Sequence, residues 1–190
     1  MQGRVVIISA PSGAGKSTII REVMASGFPL EFSVSACSRT MRPGEENGKD
    51  YWFLTSDEFR EKIEKNEFLE WEEVYKDHYY GTLRSELERI WSKGHHVLIE
   101  ADVYGGLNIK TQYPDRSMSI FIMPPSVDEL RERLIRRSTD EIGSINTRVE
   151  KAMEEISLAE KFDVIIVNEN INQAVEETKR VIKAFLEKPD

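Results

Sequence analysis

One cysteine in 190 residues rules out an internal disulfide, and three histidines with no Cys/His cluster leave no zinc site. A single thiol, Cys37, fits a reducing compartment, so a cytoplasmic protein is expected. Long apolar runs are missing too. None approaches the ~20 residues that a membrane helix requires, and Val5–Ile8 is too short for a signal peptide's apolar region and has no cleavage site behind it. No membrane partner is therefore expected. Repeats and low-complexity linkers are absent, and 39% hydrophobic with 32% charged residues excludes a disordered chain. Positive charge is in deficit, 26 Lys and Arg against 34 Asp and Glu, and the net −8 argues against general nucleic-acid binding.

What the chain does contain begins at Val5-Val-Ile-Ile8, a β-branched run bounded by a Pro/Gly cluster. Such a run predicts a strand buried on both faces of a parallel sheet. Ala10-Pro-Ser-Gly-Ala-Gly-Lys16-Ser17-Thr18 follows at once, and Thr18 to Met24 reads as a helix. Gly13 and Gly15 let backbone N–H groups turn inward as an anion nest, and the helix N-terminus adds partial positive charge. Lys16 is placed to reach the β- and γ-phosphates of a triphosphate, and the Ser17 hydroxyl to complete the coordination of a magnesium ion held by them. The first glycine of the general pattern is Ala10 here, which costs little if that position keeps a negative φ.

Strand and helix patterns then alternate, which predicts a parallel sheet covered on both faces. Further core strands are expected at His96–Ala101, Ser117–Met123 and Asp163–Val167, and helices at Val103–Gln112, Val127–Arg136 and Ile171–Leu186. Two segments break the rhythm. Residues 34–82 are rich in aromatics and short β-like runs with one helix near Asp57–Lys65; residues 126–153 are dense in arginine and carry the polar stretch 138–144. The expected division is a core of 1–33, 83–125 and 154–190, an insertion at 34–82 and a lid at 126–153. A core with two excursions suggests a kinase with two substrates.

The insertion carries Ser35-Ala-Cys-Ser-Arg39-Thr-Met-Arg42-Pro-Gly-Glu45, Asn47-Gly-Lys-Asp-Tyr51, Phe68-Leu-Glu70-Trp71 and Tyr79-Tyr80-Gly81-Thr82. With these motifs, in order and at nearly the same spacing, the chain resembles the guanylate kinases from the phosphate loop to about Asn168. The resemblance implies an α/β fold: a P-loop parallel-sheet core with helices on both faces, a mixed α/β GMP-binding insertion and a helical lid. It implies transfer of the γ-phosphoryl of ATP to GMP with Mg2+, with dGMP as a further acceptor and no obligate protein partner. ATP contacts are then expected from Ser12, Gly13, Ala14, Gly15, Lys16, Ser17, Thr18, Arg137 and Asn168, the last beside adenine.

The acceptor site is expected from Ser35, Arg39, Arg42, Tyr51, Glu70, Tyr80, Thr82, Glu100 and Asp102. Arg39 and Arg42 can grip a dianionic phosphate by bidentate forks, and the phenols of Tyr51 and Tyr80 can add neutral donors. Glu70 can accept from guanine N1–H and its 2-amino group together, whereas adenine offers an acceptor at N1 and no donor at C2. Ser35 and Thr82 match family positions near O6, where a hydroxyl can donate. Arg133, Arg137 and Arg148 match the family's lid arginines, suited to charge spread over the moving phosphoryl, and Lys16 joins them as catalytic. Asp102 matches an aspartate near magnesium, acting through water. Two departures stand out: Glu100 where aspartate is common, and Ser138 where the lid hinge usually has glycine.

The residues also allow plainer roles. Arg39 and Arg42 can salt-bridge Glu45-Glu46, Glu70 lies in the acidic run Glu67–Glu73, and Arg131 and Arg136 read as solvated helix charges. Competing classes are a P-loop kinase for another monophosphate and a peptide-binding module of guanylate-kinase type. The intact Gly15-Lys16-Ser17 disfavours the module, and the lack of an Asn-Lys-x-Asp motif disfavours a GTPase switch.

Overall fold

The computed structural model describes residues 3–137 and 142–188, with backbone alone at 137 and 142–144; Ser138 lies outside the described residues. In chain order the elements are β1 (Val5–Ser9), α1 (Lys16–Met24), β2 (Leu30–Phe32), β3 (Ala36–Cys37), β4 (Trp52–Phe53), α2 (Ser56–Glu64), β5 (Phe68–Tyr75) and β6 (His78–Leu83). Then come α3 (Arg84–Ser92), β7 (His96–Glu100), α4 (Val103–Gln112), β8 (Ser117–Met123), α5 (Val127–Arg137), α6 (Ile142–Ser157), a 3-10 turn (Ala159–Lys161), β9 (Val164–Val167) and α7 (Ile171–Leu186). They form two units: Arg4–Phe28 with the chain from Glu100 onward, and Pro29–Ile99 with the N-terminal residues. No helix among the described residues is long and apolar enough to cross a membrane.

The first unit is built on parallel strands in the order β1, β8, β9. Every residue of β1 is buried and so is β8 up to Met123, as continuous apolar runs between two helix layers require. Helix α4 packs on β1 and β8, while α1 and α7 pack on each other and on β1 and β9. Gly106 permits the approach of α4, since a Cβ there would stand 2.4 Å from Ser9 Oγ. Helix α7 starts where the Asn170 side chain accepts from the backbone N–H groups of Asn172 and Gln173. It buries Ala174, Val175, Thr178, Ile182 and Phe185, a stripe of helical period.

The second unit holds the parallel pair β2–β7 and a separate mixed sheet of order β4-β3-β6-β5. In that sheet β3 pairs parallel with β4, and β6 antiparallel with β3 and β5. One face packs on α2: Phe59 stacks on Phe68 at 4.3 Å and Tyr79 at 5.3 Å between ring centroids, with Ala36 and Leu83 completing the cluster. Burying Phe59 contributes roughly 1.5–3 kcal/mol. Helix α2 begins at Ser56, one residue ahead of the sequence reading, because Thr55 and Glu58 form a reciprocal capping box. Helix α3 escapes a reading for start signals because it follows β6 directly from Leu83, with no side-chain cap.

Glu31 ties β2 to α3 and its exit, accepting from Arg89, from Lys93 at 2.8 Å and from His95 at 3.3 Å. Burial works to raise its pKa, but the hydrogen bonds from Lys93, Arg89 and His95 outweigh it and hold the carboxyl at about 2. With the folded value below the ordinary 4.5, this group's stabilisation is complete above that pH and lost as pH falls toward about 2. Allowing for solvent screening, Glu31→Gln is expected to cost on the order of 1 kcal/mol near neutrality, a fall of roughly 2–4 °C in Tm. Melting both proteins from about pH 6 to about pH 3 checks the sign: the gap should narrow as the wild-type carboxyl protonates.

Candidate active site

The loop after β1 follows from backbone geometry. Gly13 and Gly15 have φ of +89° and +97°, whereas Ala10 is not among the positive-φ residues, so its methyl is tolerated. The Ala14 N–H closes a turn on the Pro11 carbonyl at 3.1 Å. Gly15 then serves as N-cap of α1 and offers no side chain to satisfy the first-turn N–H groups. Those of Lys16 and Ser17 have no intrahelical acceptor, which makes the loop mouth an anion site. Lys16 Nζ rests 3.2 Å from Glu100 and donates to the Ala101 carbonyl at 3.3 Å. Asp102 caps α4 through the Gly105 N–H at 2.7 Å, and its carbonyl accepts from Ser9 Oγ at 3.0 Å.

Behind the loop stands Asn168, at the end of β9 and only 3% exposed. Its side-chain amide donates to the Ala14 carbonyl at 2.7 Å and its own N–H to the Met123 carbonyl at 2.8 Å. The sequence places Asn168 beside adenine; the structure shows its side chain turned to the loop backbone. Arg133 of α5 donates to the Asn168 carbonyl at 3.2 Å and to Glu129 at 3.0 Å. Arg148 of α6 donates to Ser12 Oγ at 2.9 Å. The Arg137 side chain lies outside the described residues. Arg131 bonds Asn146 and Arg136 pairs with Glu132, as surface charges do. Arg136 nevertheless joins Gly13, Gly15, Thr18, Arg133 and Ile171 in lining a cavity of about 390 Å³ that Asn168 also borders.

In the second unit a basic group forms around Arg39. Its guanidinium lies 5.0 Å from the Tyr51 ring centroid and 5.4 Å from that of Phe53, with Tyr80 beside it. Tyr51 and Tyr80 meet edge to face at 6.0 Å. Glu45 occupies one fork of Arg39, accepting from Nη2 at 2.6 Å and Nη1 at 2.7 Å, and also accepts from the Arg42 N–H at 2.8 Å. Those bonds, from Arg39 first, hold the Glu45 carboxyl at about 2, and Glu45 raises the Arg39 pKa in turn. The plain salt bridge that the sequence allowed is therefore formed. Arg42 itself is exposed and contributes its N–H here.

Glu70 reaches its place through a strand irregularity. Phe68 pairs with Leu83 but Glu70 pairs with Thr82, so Leu69 is an extra residue and β5 carries a bulge. In a regular strand Phe68 and Glu70 would share a face. The bulge sends Phe68 into the core and Glu70 to the side of Thr82, whose hydroxyl donates to Glu70 Oε1 at 2.6 Å. Thr82, whose hydroxyl is expected near the base, donates it to Glu70. Ser35 contributes its carbonyl, which accepts from the Trp52 N–H at 2.9 Å. Sequence reasoning passes over Ile171 at the cavity, which lies in no motif whose chemistry calls for it.

A family model described as guanylate kinase matches residues 2–185. The chain is 52% identical over 188 residues to the guanylate kinase of Bacteroides thetaiotaomicron, covering 99% of this chain and 92% of that one. It is 48% identical to the guanylate kinase of Porphyromonas gingivalis, over 97% and 99% of the two chains. Among solved structures, that of guanylate kinase from Anaplasma phagocytophilum aligns with a TM-score of 0.77 at 32% identity, covering 98% of this chain and 87% of that one.

The loop geometry carries a direct test. A Cβ at position 15 would stand 2.3 Å from the Asn168 amide nitrogen, at a φ that L-residues avoid. Gly15→Ala is expected to keep the far-UV spectrum and to weaken ATP binding by at least about tenfold, read by calorimetry.

Proposed function

We infer the residue roles from the premise that this chain belongs to the guanylate kinase family and carries out its reaction, ATP and GMP to ADP and GDP. One observation carries the acceptor assignment. A single unit holds both a phosphate grip, Arg39 with Tyr51 and Tyr80, and a carboxylate oriented by a neighbouring hydroxyl, Glu70 with Thr82. A monophosphate nucleotide whose base presents two adjacent donors matches that pair of features. In this reading residues 34–82 are the acceptor insertion and 126–153 the lid.

ATP enters as its magnesium complex. The glycine loop and the first turn of α1 receive the phosphates, from Ser12 to Thr18, and adenine packs in the cavity bordered by Asn168 and Ile171. Asn168 serves ATP as the brace of the loop. Among the described residues no cluster of three or more His, Cys, Asp or Glu could hold a metal, and the ion arrives with the triphosphate. The Ser17 hydroxyl, with Asp102 through water, is the group suited to complete its shell. Lys16 exchanges Glu100 for phosphate oxygens as ATP arrives.

An oxygen of the GMP phosphate attacks the γ-phosphorus in line, the bond from that phosphorus to the β-bridging oxygen breaks, and ADP departs. The attacking oxygen is already anionic, so no general base is required. Lys16, Arg133, Arg137 and Arg148 offset the charge spread over the moving group. Arg133 is held ready by Glu129 and the Asn168 carbonyl. Arg39 and Arg42 grip the acceptor phosphate, Glu70 reads guanine with Ser35 nearby, and Glu100 and Asp102 complete the acceptor contacts. None of these groups needs the ribose 2′-hydroxyl, so dGMP is accepted.

Measuring ADP formation with GMP, dGMP, AMP, UMP or dTMP tests the assignment; turnover confined to the guanine nucleotides is expected, and turnover of another base would overturn Glu70 as the reader. Glu70→Gln should lower kcat/KM for GMP by roughly 10²-fold while ATP binding stays near wild type. Lys16→Ala should lower kcat by about 10³-fold in a folded protein, and a near-normal rate would remove the loop from the chemistry.

A further inference from the structure

Glu86, on α3, is a charged residue only 2% exposed that the reaction does not use. Its carboxylate collects hydrogen bonds from three stretches of chain. Arg89, one turn on along α3, donates from Nε at 2.8 Å and Nη2 at 2.9 Å. The Val34 N–H donates at 2.8 Å and the Trp52 indole N–H at 3.2 Å. Each stretch adjoins a residue assigned to the acceptor: Val34 precedes Ser35, Trp52 follows Tyr51, and α3 leaves β6, which carries Tyr80 and Thr82. The Trp52 N–H donates to the Ser35 carbonyl at 2.9 Å, so the first two stretches are also joined to each other.

Removing a carboxylate from water is costly, and a packed apolar side chain would serve stability as well. What an apolar residue could not do is fix a backbone N–H, an indole and a guanidinium at set distances from one point. We propose that Glu86 is a positioning residue for the acceptor nucleotide, setting the spacing between the Ser35 and Tyr51 segments through its bonds to Val34 and Trp52. The inference rests on the assignment of GMP to this unit. Arg89 holds the carboxylate and is itself tied to Glu31 and to the Phe32 carbonyl. Burial favours the neutral acid, but the bonds from Arg89, Val34 and Trp52 keep Glu86 ionised.

Glu86→Gln keeps shape but turns an amide NH2 toward one of these donors. Calorimetric titration of the full-length variant with GMP and with ATP separately, below its melting point, is expected to show GMP bound roughly tenfold more weakly and ATP within about twofold of wild type. Trp52→Phe, which removes the indole donor and part of the ring that packs on the Phe59 cluster, should weaken GMP alone by about threefold. Unchanged GMP binding by folded Glu86→Gln overturns the proposal, and so does an equal loss for both nucleotides, which marks a general structural role. If Glu86→Gln does not fold, Trp52→Phe decides alone, and unchanged GMP binding there overturns the proposal. Failure of wild-type protein to bind GMP would instead refute the acceptor assignment beneath it, so the two failures are distinguishable.

Discussion

The bond from the Asn168 amide to the Ala14 carbonyl is the constraint on which the glycine loop rests. A loop that presents N–H groups to phosphate has to turn its carbonyls elsewhere, and a buried carbonyl needs a donor. Asn168 supplies it from the end of β9, and the same residue accepts from Arg133 through its own carbonyl. Loop shape and arginine placement therefore depend on one side chain and its backbone. Gly15 belongs to the same arrangement, since the amide occupies the space a side chain would need.

In the proposed function the second unit meets a different difficulty, that of holding Arg39 in place before its anion arrives. Glu45 takes one edge of the Arg39 guanidinium while aromatic rings flank its plane. A guanidinium has five N–H donors, so an edge engaged by a carboxylate leaves others for phosphate. Neutralising half the grip beforehand lowers the attraction for stray anions and fixes its geometry. Glu31 and Glu86 treat Arg89 in the same way on α3, so paired charges order this unit where its small apolar cluster ends.

Much of the donor unit was legible in the sequence because continuous apolar strands and long amphipathic helices have periods that local composition reveals. The bounds of β8, α4 and α7 agree with the sequence reading to the residue. Legibility falls off in the second unit. Strands of two or three residues have no period to detect, and α3 has no cap. For the sites, residue types were legible and, apart from the Arg39–Glu45 pair, their partners were not. Asn168 could be read as a nucleotide neighbour, yet only folding shows its amide turned to Ala14. Thr82 could be read as a hydroxyl for a base, yet its register opposite Glu70 depends on an extra residue that no alternation in Phe68-Leu69-Glu70 announces.

In the proposed function that extra residue makes base recognition a matter of register. Glu70 faces Thr82 because Leu69 is set out of the ladder there; were the bulge absorbed with Leu69 kept, Leu69 would stand opposite Thr82 and Glu70 opposite Gly81. If Glu70 reads the base as proposed, altering that reading calls for keeping the bulge while changing the side chain. A change that straightens β5 at its full length would turn Glu70 to the other face of the sheet with every side chain of the site still present.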